Sequence, residues 1–145
     1  MRRLRLSGEV VVIVENDPFQ GWLHSEVLKQ GGYKTHIVDK FSDPAEFTEE
    51  VEKMKPDLVL LDEMLSTWGV YGFEVVDLIR AHKVIYPLFA ILSIVAGNEK
   101  VLTRYHRRGI PGSCVARKPC SKKELLELVS RTLKRESDTH PAHSS

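Results

Sequence analysis

Unbroken apolar runs alternate with helix-period runs along this chain. Val10-Val11-Val12-Ile13-Val14 is a continuous β-branched stretch, the pattern of a strand covered on both faces. Asp17-Pro18 predicts a helix start, with Asp17 as N-cap and Pro18 at the first helical position. Phe19, Leu23 and Val27 at spacing four, with Trp22 and Leu28 beside them, predict the buried face of that helix, which ends at Gly31-Gly32. Lys34 to Val38 reads as a second strand. Asp43-Pro44 opens a second helix with Phe47, Val51 and Met54 on one side. Leu58-Val59-Leu60-Leu61 is a third buried strand ending at Asp62, and Glu63 to Tyr71 is read as a loop. Gly72 to His82 predicts a helix burying Val75, Val76 and Ile79. A fourth strand follows over Leu88 to Leu92, ending at Ser93. Asn98 to Arg108 is the next helix, Ser113 to Arg117 the last strand. Ser121 with Glu124 forms a capping box for a final helix that buries Leu125, Leu128, Val129 and Leu133.

Strict alternation with short connections predicts an α/β fold: a doubly wound, five-stranded parallel sheet with five helices. Residues 1–7 are expected to be an N-terminal extension, 8–134 the domain, and 135–145, without apolar periodicity, a disordered tail. The 145 residues suffice for one self-sufficient core. Lys and Arg total 21 against 20 Asp and Glu, a net charge of +1, which argues against direct nucleic-acid binding through bulk charge. The two cysteines, Cys114 and Cys120, build no disulfide framework, and Cys114 reads as a small core residue. No apolar run approaches a membrane span and no signal-peptide pattern opens the chain, so a cytoplasmic protein without membrane contact is expected.

In such sheets ligands sit beyond the carboxyl ends of the strands. There this sequence places Glu15, Asn16 and Asp17 after the first strand, Asp62 after the third, Ser93 after the fourth, and Lys118-Pro119 after the fifth. Singly each has a plain reading: Asp17 as a helix cap, Lys118-Pro119 as a turn. Together they supply carboxylates, a hydroxyl and an ammonium, which suits acyl-phosphate chemistry. A carboxylate can accept a phosphoryl group, oxygen ligands suit Mg²⁺, and a cation holds the transferring oxygens.

Val12-Ile13-Val14-Glu15-Asn16-Asp17-Pro18, Lys55-Pro56-Asp57-Leu58-Val59-Leu60-Leu61-Asp62-Glu63-Met64-Leu65, Gly72-Phe73-Glu74-Val75 and Lys118-Pro119 together resemble the receiver domain of two-component response regulators. The resemblance covers about residues 8 to 134. It implies a flavodoxin-like sheet of order 2-1-3-4-5 and phosphotransfer from a histidine kinase or phosphotransfer protein to an aspartate. On that pattern Asp62 is the phosphoacceptor, and Glu15 and Asn16 fall on the acidic pair. Met64 falls on the residue whose carbonyl helps bind Mg²⁺, Ser93 on the switch hydroxyl, and Lys118 on the phosphate-binding lysine. The bond before Pro119 is implied to be cis. Output is expected through a downstream protein target or an effector domain, with no turnover of an external substrate.

The sequence departs from that pattern at several points. Asn16 stands where a second carboxylate is usual, Ser66 where proline is usual, and Val115 where a rotating aromatic is usual. The segments after Asp62 and after Ser93 are longer than usual. These changes predict weak Mg²⁺ binding, and they set a phosphorylation-independent interaction module against the phosphoacceptor reading. A phosphatase of the haloacid-dehalogenase type would need an aspartate where Met64 stands. A flavin carrier would need a phosphate loop where Glu15-Asn16-Asp17-Pro18 stands. Arg104, Arg107, Arg108 and His106 form a basic cluster, read as a solvated helix end or a docking face. Trp68 and Tyr71 are read as sheet-edge packing or a gate over the pocket.

Overall fold

The computed structural model describes residues 8–82, 84 and 86–139; the expected N-terminal extension lies outside them. Five parallel strands form one sheet: β1 (Val10–Val14), β2 (Lys34–Val38), β3 (Leu58–Asp62), β4 (Leu88–Ser93) and β5 (Val115–Arg117). Their order is β2-β1-β3-β4-β5, the expected 2-1-3-4-5. The helices are α1 (Pro18–Gln30), α2 (Pro44–Met54), α3 (Gly72–His82), α4 (Glu99–His106) and α5 (Lys122–Thr139).

Successive strand residues point to opposite faces, so each apolar run serves two cores. Val12, Val14, Val59, Leu61, Phe89 and Ile91 pack under α2, α3 and α4 with Phe47, Val51, Val75, Val76, Ile79 and Tyr105. Val11, Ile13, Leu58, Leu60, Ala90 and Leu92 pack under α1 and α5 with Val27, Leu28, Leu125, Leu128 and Val129. This two-sided burial is why β1, β3 and β4 run apolar without alternating polar residues, whereas the edge strand β2 keeps Lys34 and His36 exposed.

Four details differ from the sequence reading. First, α1 does not bury Phe19 and Leu23. Its inner face is Gly21, His24, Ser25, Val27 and Leu28, while Phe19 and Trp22 are more than half exposed with their rings 6.0 Å apart. Gly21 explains the choice. A Cβ there would lie 3.1 Å from Ile37, so the helix can approach the sheet only along its small side. The Ser25 hydroxyl then shares a 2.7 Å hydrogen bond with Thr35. His24 is held neutral, its pKa lowered to about 4 by burial and then by the charge of Lys118.

Second, the expected loop after Asp62 contains a small hairpin. Met64–Leu65 pairs antiparallel with Val70–Tyr71 around a 3₁₀ turn at Ser66–Trp68. Trp68 stacks on Phe41 at 5.5 Å and meets Phe47 edge-on at 6.5 Å, so it anchors the hairpin at the sheet edge rather than gating the pocket. Third, β5 starts at Val115 because Gly112–Cys114 form a 3₁₀ turn that drops Cys114 into the core. Fourth, α5 continues to Thr139, past the tail boundary expected at 135, and the remainder lies outside the described residues. Each residue added to a docked helix gains a hydrogen bond without a new nucleation step, and no Gly or Pro intervenes before Pro141. The helix opens with the expected capping box: Ser121 N–H donates to Glu124 at 2.9 Å and Glu124 N–H donates to Ser121 Oγ at 3.1 Å.

The basic cluster of α4 is largely tied down. The Arg104 and Arg108 guanidinium groups lie 5.0 and 4.9 Å from the Phe73 ring centre, and Arg108 binds both oxygens of Asp77 at 2.8 and 2.9 Å. These contacts clamp α4 to α3. Among the described residues no helix is long and apolar enough to cross a membrane.

Candidate functional site

Parallel register aligns the strand ends. Val14 pairs with Leu61, Asp62 with Leu92, and Ser93 with Arg117. Glu15, Asp62, Ser93 and Lys118 therefore emerge at one edge, as their order in the sequence implies. The Lys118 N–H donates to the Ser93 carbonyl at 3.0 Å, and the Lys118–Pro119 bond is cis, as expected.

The Lys118 ammonium binds Asp62 Oδ1 at 3.1 Å and Glu15 Oε1 at 3.3 Å. Glu15 and Asp62 are buried, and the lysine side chain keeps 20% of its surface. Burial, and then repulsion from Asp62, pushes the Glu15 carboxyl above its ordinary value, with Lys118 pulling it back. Burial likewise raises Asp62 against the pull of Lys118. Burial alone would lower the Lys118 ammonium, but Asp62 and Glu15 outweigh it and hold it above the ordinary lysine value. Two carboxylates thus share one ammonium, and the pocket is short of positive charge.

Asn16 sits at the exposed lip. Its amide is oriented so that the nitrogen donates to Glu15 Oε2 at 3.1 Å and the oxygen accepts from Thr67 Oγ1 at 2.7 Å. Asp17 is turned elsewhere: its carboxylate caps α1, accepting from Phe19 N–H at 3.0 Å and Gln20 N–H at 3.4 Å. Met64 has an exposed side chain on the hairpin. The carboxylates that meet at this edge are Glu15 and Asp62, with the Asn16 amide beside them.

Ser93 is brought to the site but not to Asp62. Its hydroxyl donates to Glu63 Oε1 at 3.3 Å and accepts from Val95 N–H at 3.0 Å. Sequence reading gave Glu63 and Thr67 no role. The signal for Glu63 was a second carboxylate directly behind a strand of buried residues. Thr67 carried none, because its contact with Asn16 depends on the hairpin. Behind Glu63, Tyr105 is fully buried; among the described residues its hydroxyl makes no hydrogen bond of good geometry, and the Phe73 backbone is its nearby polar group. A Cβ on Gly72 would lie 2.5 Å from that hydroxyl and 3.1 Å from Glu63 Cα.

The family model for the response regulator receiver domain matches residues 11–130. The chain is 28% identical over 134 residues to the DNA-binding response regulator MtrA of Mycolicibacterium smegmatis, covering 88% of this chain and 52% of MtrA. It therefore spans about half the length of that relative. The fold is similar to the CheY-like receiver domain protein of Methanospirillum hungatei JF-1 (TM-score 0.73, 20% identity, 91% of this chain and 98% of that one). It is also similar to the chemotaxis protein CheY4 of Vibrio cholerae (TM-score 0.73, 18% identity, 87% and 99%). With a sheet of the same order and a family match over most of its length, this chain belongs to the response regulator receiver domains.

Proposed function

We propose that this receiver accepts a phosphoryl group on Asp62 from a histidine kinase or phosphotransfer protein, with Mg²⁺. The observation that carries the reading is the Lys118 ammonium bridging Asp62 and Glu15. It pulls a buried carboxylate toward its ionised, nucleophilic form against the effect of burial, and it stands where it can bind a phosphoryl oxygen. Asp62 attacks phosphorus, the bond to the donor histidine breaks, and the histidine leaves with the electron pair. Glu15, Asn16, Asp62 and the Met64 carbonyl are the groups that would hold Mg²⁺. Oxygen donors with two carboxylates fit an ion that keeps several waters, and the shortage of positive charge at Glu15 and Asp62 favours it. Bound there, the ion supplies charge neutralisation at the phosphoryl oxygens. Output runs through contacts with a downstream protein or a linked effector domain.

Beryllofluoride, which mimics an acyl phosphate, tests this. With Mg²⁺ it should bind the wild type and not Asp62→Asn. Absence of binding with and without Mg²⁺ would replace the reading with a phosphorylation-independent interaction module.

Asn16 sets the metal response. Asn16→Asp adds a carboxylate beside Glu15 and Asp62, so the apo protein should lose about 1 kcal/mol, and Mg²⁺ should raise its melting temperature more than it raises that of the wild type. Asp17→Asn should leave the Mg²⁺ shift unchanged, because Asp17 serves the helix cap. A thermal titration of both variants reads the difference; the opposite pattern would assign the ligand to Asp17.

A further inference from the structure

Glu63 is an acidic residue with nothing to do in the chemistry above, yet it is buried at 2% exposure beside the phosphoacceptor. Its backbone is fixed at both ends. Its N–H donates to the Leu92 carbonyl at 2.8 Å, and its carbonyl accepts from Gly72 N–H at 2.7 Å. Its carboxylate accepts a hydrogen bond from the hydroxyl of Ser93, which is 1% exposed. Among the described residues that is the side-chain hydrogen bond Glu63 makes.

A serine hydroxyl has one proton. It can be given to Glu63 or to a phosphoryl oxygen on Asp62, not to both. We propose that Glu63 is a positioning residue that holds the Ser93 proton in the resting state, so that phosphorylation of Asp62 engages Ser93 only by breaking the Ser93–Glu63 bond. Breaking it leaves a buried carboxylate without its donor, which opposes the change. The Val95 N–H is bound to the same hydroxyl, so the exposed Ile94-Val95 segment follows whichever acceptor Ser93 chooses. Glu63 thus sets how strongly a phosphoryl group must pull before the segment after β4 responds.

The inference rests on Asp62 being the phosphoacceptor, and the test separates the two. Beryllofluoride affinity with Mg²⁺ is measured by calorimetry on the full chain for wild type, Glu63→Met, Glu63→Gln, Ser93→Ala and Glu63→Met/Ser93→Ala. Methionine keeps the length and removes the acceptor. Glu63→Met should tighten binding about fivefold, the size of one ordinary hydrogen bond, because the 3.3 Å contact is longer than a charge-assisted one. Ser93→Ala should weaken binding, and in that background Glu63→Met should change it less than about twofold. Glu63→Gln, neutral but still an acceptor, should fall between wild type and Glu63→Met, and it carries the test if the methionine variant does not fold. The Val95 amide resonance of Glu63→Met, without beryllofluoride, should move toward its position in liganded wild type. Equal tightening with and without Ser93 would show that Glu63 acts by charge alone and would overturn the proposal. So would no tightening in either Glu63 variant, or a Glu63→Gln gain as large as that of methionine. Failure of every variant to bind in an Asp62-dependent way would instead overturn the phosphoacceptor reading, and the inference with it.

Discussion

Replacing Lys118 with methionine should destabilise the domain by about 3 kcal/mol at neutral pH, near the lower end for removing one partner of a buried ion pair. Its ammonium bridges Glu15 and Asp62, and both carboxylates would remain buried with no cation between them. For a domain of this size the melting temperature should fall by roughly 10 °C. The loss should depend on pH in a defined direction. Burial raises both carboxyl pKa values above the ordinary 4.5 of Glu15 and 3.8 of Asp62. Without Lys118 they should rise further. The folded state then holds protons that the unfolded state has released, so stability is greatest below those ordinary values and falls as pH rises through the raised ones. The gap between Lys118→Met and wild type should therefore shrink on acidification. Thermal melts of both proteins across pH 4 to 8 read this. A gap that widens toward acid would contradict the shared-cation geometry. Mg²⁺ should recover part of the loss at neutral pH, because it places positive charge between the same two carboxylates.

Gly72→Ala should cost about 3 kcal/mol, at the upper end for overpacking. The added Cβ would lie 2.5 Å from Tyr105 Oη, 3.0 Å from the Asp62 carbonyl and 3.1 Å from Glu63 Cα. The two backbone contacts lie at the end of β3 and cannot swing aside as a flexible side chain can. Tyr105→Phe removes the closest contact and also deletes a buried hydroxyl that makes no hydrogen bond of good geometry among the described residues. In the wild-type background it should stabilise the domain by about 1 kcal/mol. In the Gly72→Ala background it should recover more than that, and the excess is the coupling read from a double-mutant cycle by denaturant unfolding. Equal effects of Tyr105→Phe in both backgrounds would place the strain elsewhere.

Much of this architecture is visible in the sequence because its cause is local. β1 and β3 begin and end where their apolar runs do, since burial of the sheet on both faces leaves continuous runs, and α3 ends where its helical apolar spacing does. Glu15, Asp62 and Lys118 could be brought together on paper because strand order alone decides that they meet. What failed depended on contacts between segments. The buried face of α1 was misread because large apolar residues normally face inward, whereas Gly21 admits only a small-residue face against Ile37. The hairpin after Asp62 rests on Trp68 reaching Phe41, a pairing across sequence that no local pattern announces. Ser93 was rightly placed at the site edge, but its attachment to Glu63 rather than toward Asp62 follows from side-chain packing around the end of β3.

On the function proposed above, Asp62 carries the phosphoryl group. Intact-mass measurement after incubation with acetyl phosphate and Mg²⁺ tests it most directly. Wild type should gain the mass of a single phosphoryl group, lose it on treatment with hydroxylamine as an acyl phosphate does, and show no gain as Asp62→Asn. Equal labelling of Asp62→Asn, or no labelling of a folded wild type, would contradict the account.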